Sequence, residues 1–145
     1  MRLSEFYRGL LMYNKNEKIP LADELSALDA YLYLLNIRFE GKFQCRPAIP
    51  DSAIQTQIPP FTLQMLVENA VKHNKMSARE PLLIEVYAEK NVLIVKNPLQ
   101  PRPLKEPSTG TGLSNIKARY ALLTDRPVQA GEMPDGTFVV QIPLL

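Results

Sequence analysis

Cysteine, histidine and long apolar runs are scarce in this sequence, and each scarcity removes a class of protein. The single cysteine, Cys45, has no second thiol to join within the chain. No internal disulfide can staple the fold, and one thiol fits a reducing compartment, where Cys45 reads as a packed strand residue. No apolar run is long enough to span a bilayer, and the opening MRLSEFYRGLL lacks the unbroken apolar stretch of a signal peptide. Charge of one sign is missing too: 17 Lys and Arg stand beside 15 Asp and Glu, for a net charge of +2 spread along the chain. Without a basic stripe, nucleic acid is excluded as the expected partner, and any phosphate must be bound locally. No internal repeat is visible. What is present is 46% hydrophobic and 22% charged residues over 145 positions, the composition of one soluble packed domain with at most a small appendage.

The chain divides near Gly41. Before it, SEFYRGLLMY (residues 4–13) offers a Ser cap and Phe6, Leu10 and Tyr13 at helical spacing, and NKNEK breaks the pattern. From Pro20, Leu21, Leu25, Leu28, Leu32, Leu35 and Phe39 step alternately by four and three. That seam predicts a helix packed on a partner, with Asp23 and Glu24 favourable in its first turn and Gly41 as its stop. Residues 1–41 are therefore expected to be a helical segment and 42–145 the main domain. In the latter, KFQCRPAIP and SAIQTQIPP read as two short strands, and Pro60 opens a helix running to about Asn74. Two strands joined by a tight turn at Glu89, Lys90 and Asn91 follow, and GTFVVQIPLL gives another. Between residues 98 and 111 four prolines predict an irregular, functional or mobile loop, which ends in a helix opened by GTGLSNIKARYALL. Hairpin strands with helices between them predict a two-layer α/β sandwich, a mixed sheet with helices on one face.

The stretch LVENAVKHN, residues 66–74, is the most loaded part of the chain. At 100° per residue Leu63, Leu66, Val67, Ala70 and Val71 face the sheet, and Glu68, Asn69 and Lys72 gather on the other side with His73 at the border. A solvated face would accept such charges. Asn69, however, is a poor helix-interior residue, and a short carboxamide there is better explained by a ligand or metal. Downstream, Gly110 and Gly112 precede a helix whose free N–H groups and positive dipole end attract phosphate, although Gly-x-Gly is also an ordinary turn. Together these are the parts of a nucleotide site.

IPPFTLQMLVENAVKHN resembles the asparagine box, and STGTGLSNIKARYALL the last glycine box, of the LytS/YehU-like sensor histidine kinases, within the Bergerat-type (GHKL) ATPases. IPLADELSALDAYLYLLNIRFEGKF resembles their linker-helix signature, closing on Arg38 and Phe39. The likeness covers nearly the whole chain. It implies a Bergerat ATP-binding fold, with ATP and Mg as cofactors. It implies Asn69 as Mg ligand, Glu68 as the catalytic residue that helps activate the acceptor, and Lys72 or His73 near phosphate. Asn97, Thr109, Gly110, Thr111, Gly112 and Leu113 complete the implied ATP site. A single carboxamide oxygen can be the protein's whole contribution to Mg, which keeps water and phosphate oxygens as other ligands. Phosphoryl transfer is mostly placement and charge neutralisation, which suits so sparse a site. The likeness further implies a response regulator as partner, a homodimer formed through the helical segment, and the cytoplasmic portion of an inner-membrane parent.

Two departures from the pattern stand out. VKNPLQP puts Asn97 where the family's adenine-binding Asp stands, and Pro98, Leu99 and Pro101 where Asn and glycines stand. Asn97 can still accept through its carboxamide oxygen, but without a charge-assisted bond adenine affinity should fall. Secondly, no Pro-His-Phe-like segment is present, so His73 is not the phosphoacceptor, and the chain is expected to start after the acceptor helix. The alternatives are a degenerate pseudokinase that dimerises through Leu25, Leu28, Leu32 and Leu35, and an ATPase of the gyrase type with Glu68 activating water.

Overall fold

The computed structural model describes residues 17–101 and 111–145. The helix expected at residues 4–13, and Thr109 and Gly110, lie outside the described residues. In chain order the elements are β1 (Ile19–Pro20), α1 (Leu21–Arg38), β2 (Phe43–Ala48), α2 (Asp51–Ile54), β3 (Gln57–Ile58), α3 (Thr62–His73), β4 (Leu82–Glu89), β5 (Val92–Pro98), α4 (Thr111–Ala121), β6 (Gln129–Glu132) and β7 (Thr137–Pro143). Five strands form one sheet in the order β2-β4-β5-β7-β6. Only β2 and β4 run parallel, and the other three pairings are antiparallel, so the sheet is mixed as expected.

Side-chain alternation gives the sheet two different faces. On β2 and β4, Phe43, Leu82, Ile84 and Val86 are buried beneath the helices, whereas Gln44, Arg46, Leu83 and Glu85 are exposed on the opposite face. Leu93, Val95, Val140 and Ile142 extend the buried face. Cys45 lies half-buried on β2, and burial pushes its thiol up to about 12, which keeps it protonated and unreactive. The β4–β5 turn falls where expected: Lys90 and Asn91 both take positive φ, 49° and 63°, the geometry of a tight two-residue hairpin.

The leucine seam of α1 has its partner inside the same chain. Leu21, Leu28, Leu32 and Leu35 are buried in one cluster with the sheet and α3, so these residues are not a surface for a second copy, contrary to the role expected for Leu28, Leu32 and Leu35. Leu25 is only partly buried, and the position that belongs to the buried stripe is Glu24. Gly41, at φ 71°, reverses the chain after α1, and Arg38 stacks over the Phe39 ring at 5.0 Å.

Three local expectations fail for identifiable reasons. SAIQTQIPP is not one strand: Asp51–Ile54 makes a helical turn, closed by Thr56 donating to the Ala53 carbonyl at 2.5 Å, and only Gln57–Ile58 extends, pairing with Ile19–Pro20. The helix expected from Pro60 starts at Thr62, because Phe61 adopts a left-handed φ of 67° as its cap residue. The proline-rich stretch is regular further than expected. Pro98 still pairs with Thr137 and Pro101 bridges Asn74. Pairing with β4 ends at Lys96, so no second neighbour requires the amide hydrogen that Pro98 lacks.

Candidate functional site

The site is built on α3, which lies between α1 and α4 above the centre of the sheet. Leu63, Leu66, Val67 and Ala70 are buried, as their spacing predicts, and Val71 packs partly buried against the same cluster. On the remaining surface Glu68, Asn69 and His73 are half-buried and Lys72 is exposed. Glu68, Lys72 and His73 each interact with neighbours. Lys72 and His73 occupy the last turn, where positive charge suits the carbonyl end of the helix dipole.

Asn69 meets the glycine helix. A Cβ placed on Gly112 would stand 2.9 Å from Asn69 Nδ2 and 3.0 Å from its Oδ1, closer than any side chain tolerates against a carboxamide. A side chain at 112 would have to push the Asn69 carboxamide aside. The contact puts a carboxamide against the first turn of α4, where backbone N–H groups have no helical acceptor. Thr111, Gly112 and Leu113 form that turn, and Leu113 packs partly buried on the core. The structure thus brings Asn69, Gly112 and the start of α4 together.

Asn97 is placed differently. It is 4% exposed on β5, and its Nδ2 donates to the Pro98 carbonyl at 2.8 Å, so the carboxamide oxygen is the half that can accept from a ligand. It lines a hollow of about 500 Å³ with Arg46, Glu85, Lys96 and Thr137, and neither Asn69 nor Gly112 lines that hollow. A second hollow, of about 480 Å³, lies by Phe39, Val71 and Met76 and also excludes them.

Sequence reasoning missed two residues that hold the site. Asn74 ends α3, 5% exposed; its Nδ2 donates to the Ala70 carbonyl at 2.8 Å and its Oδ1 accepts from Gln100 N at 2.8 Å. Lys75 N donates to the Gln100 carbonyl at 2.6 Å, and Leu99 N to the Gly136 carbonyl at 2.8 Å. The departing segment Leu99–Gln100 is therefore clasped between α3 and the β6–β7 turn. Glu24 is the second. It is 1% exposed, and its carboxylate accepts from Phe61 N at 3.0 Å and Leu63 N at 2.9 Å, the leading amides of α3. Burial pushes its carboxyl up to about 7 against those bonds and the Arg119 charge. The only sequence signal was an acidic residue on an apolar stripe, and it was read as an ordinary first-turn charge.

The donor set suits Mg and a polyphosphate in one respect. Among the described residues no cluster of three His, Cys, Asp or Glu side chains could cage a metal. A cation at Asn69 would take the carboxamide oxygen and fill its sphere from phosphate and water, as Mg commonly does.

In sequence and in fold the chain is similar to known histidine kinases. Residues 1–43 match a family model described as Histidine kinase. The sensor protein LytS of Staphylococcus haemolyticus is 35% identical over 135 residues, covering 82% of this chain and 23% of that protein. The sensor histidine kinase BtsS of Escherichia coli K12 is 45% identical over 71 residues, covering 49% of this chain and 12% of that one. The chain spans about a quarter of the length of its LytS relatives, 23% and 24% for two of them. Among solved structures, the cytoplasmic segment of histidine kinase QseC superposes with a TM-score of 0.61 at 21% identity, covering 99% of this chain and 91% of that one. A nucleotide-free catalytic domain of histidine kinase ThkA gives 0.53 at 14% identity, with 88% and 95% covered. At these identities the likeness establishes the fold, that of a histidine kinase catalytic domain.

Proposed function

We propose, from the premise that this chain is a homologue of the LytS sensor histidine kinases, that it is the ATP-binding catalytic part of such a kinase. The observation that carries the reading is the seat of Asn69 against Gly112, a carboxamide at the first turn of α4 that a phosphate-bound cation would use. When bound, Mg-ATP would supply the γ-phosphoryl group and the charge that neutralises its transfer. Asn69 would hold the cation through its carboxamide oxygen. The first-turn amides of α4, at Gly112 and Leu113, would orient the phosphates, and Lys72 and His73 would add positive charge beside them. Thr109, Gly110 and Thr111 would complete that cradle, and Asn97 would accept from adenine through Oδ1. Glu68, adjacent to Asn69, would accept the proton of the incoming imidazole. The acceptor histidine would lie outside this site, since His73 is fixed in the last turn of α3 on the ATP side.

On the same reading the phosphoryl group passes on to a response regulator. The kinase would dimerise through the exposed side of α1, where Tyr33 and Ile37 are 68% and 58% exposed one turn apart. Among the described residues no helix is long and apolar enough to cross a membrane. Cytoplasmic placement, with any anchor lying elsewhere in a longer parent, belongs to the proposal. The test is calorimetric titration of Mg-ATP, or a non-hydrolysable analogue, into the chain. Saturable binding weakened by Asn69→Ala supports the reading; no binding at millimolar nucleotide overturns it.

A further inference from the structure

The mechanism leaves one buried ionisable group unused, and it stands where three helices meet. Glu24 belongs to α1, yet its two carboxylate oxygens accept from Phe61 N and Leu63 N, 37 and 39 residues away. No side chain of α3 itself caps that end. Phe61 holds its left-handed conformation at this junction, which points both amides at the same carboxylate. From the other side Arg119 of α4 acts on the carboxylate electrostatically, and Tyr120 and Glu17 belong to the same electrostatic cluster. Among the described residues, Arg119 Nη1 and Tyr120 Oη are buried without a hydrogen-bond partner.

We propose that Glu24 is a positioning residue: it fixes the start of α3, which carries Asn69, relative to α1, so that a shift of α1 reaches the nucleotide site through α3. The geometry leaves few alternatives for these groups. Removing the carboxylate leaves the Phe61 and Leu63 amides without their acceptor at a largely buried joint. α3 in turn meets α4 at the Asn69–Gly112 contact, which lies at the site itself. A change at the Glu24 end is thus delivered where it matters for binding. This inference rests on the functional reading above for its consequence, though not for its geometry.

The experiment uses the whole chain and a readout independent of nucleotide. Glu24→Gln keeps the shape but replaces one acceptor oxygen with a donor facing an N–H. Hydrogen exchange should accelerate by about tenfold or more in residues 61–66 and also in α4, the scale of a modest coupling between sites, while β4 and β5 stay protected. Val140→Ala, a core truncation distant from the joint, serves as the control for simple destabilisation and should not single out α4. Exchange unchanged in α4, or raised equally everywhere in both variants, overturns the proposal. If Glu24→Gln does not fold, Glu24→Asp, which keeps the charge at shorter reach, takes its place with the same two criteria. Titration of the ATP analogue is the second arm: Glu24→Gln should weaken binding about tenfold at a temperature where it remains folded. Unchanged binding there overturns the inference. Absence of binding by the unmutated chain overturns the functional reading instead, while the exchange result still decides the joint.

Discussion

The two ends of α3 are held by opposite means. At the start, its leading amides are satisfied by a buried carboxylate from a different helix. At the finish, Asn74 satisfies its own helix through the Ala70 carbonyl and reaches Gln100 on the segment leaving β5. The first end ties α3 to α1; the second ties it to the segment leaving the sheet. A displacement of α1 is therefore felt at the first end. Changes in the segment after β5 are felt at the second, and Asn69 sits between them.

The comparison can be broken most forcefully at the first end. Glu24→Ala leaves the Phe61 and Leu63 amides without their acceptor and opens a gap in a buried joint, and should cost about 3 kcal/mol in denaturant unfolding. A cost near zero would mean that water replaces the carboxylate and that the two ends do not differ in kind. The same end carries a pH signature. The folded-state carboxyl of Glu24 is raised from 4.5 to about 7 by burial, so the stability associated with its neutral form is fully present below pH 4.5 and is lost as pH rises through 7. Arg119 and Tyr120 from α4 and Glu17 ahead of α1 are the groups that face this cluster electrostatically. The stability difference between the unmutated chain and Glu24→Gln should accordingly shrink from pH 5 to pH 8. A difference that grows with pH would reverse the assignment.

At the second end, Asn74→Ala removes one acceptor and one donor at a margin nearer to solvent, and about 1–2 kcal/mol is expected. Faster exchange at Gln100 with α4 unaffected would sharpen the contrast. The smallest effect on stability is expected at Gly112→Ala, within about 1 kcal/mol, since alanine favours a helix while its methyl group displaces Asn69. Its effect should appear in nucleotide affinity, so a large loss of stability without loss of binding would mean that the contact is mere packing.

Much of the framework was legible in residue order. The strand pair joined by the tight turn at Lys90 and Asn91 and the apolar stripe of α3 each reflect a local rule, and each is where the pattern puts it. Strand β6 was missed because Gln-Ala-Gly-Glu has no strand signature; its pairing with β7 across the Asp135–Gly136 turn makes it a strand. The seam of α1 was legible as a seam, although its partner was not, because periodicity says that a face is covered without saying by what. Asn69 and Gly112 were each suspected from their chemistry, and their contact is a tertiary fact. Glu24 was hidden for the same reason, since a buried carboxylate and a solvated first-turn acid look alike until the N–H groups 37 and 39 residues away are seen beside it.

The central claim is that the carboxamide of Asn69, seated on the glycine helix, grips a cation carried by ATP. Calorimetric titration of Mg-ATP into the chain and into Asn69→Ala, with and without Mg, tests it most directly. Saturable binding that falls by about tenfold or more on mutation, and by a similar factor on removing Mg, is the predicted result. Equal affinity for both proteins, or affinity indifferent to Mg, would contradict it.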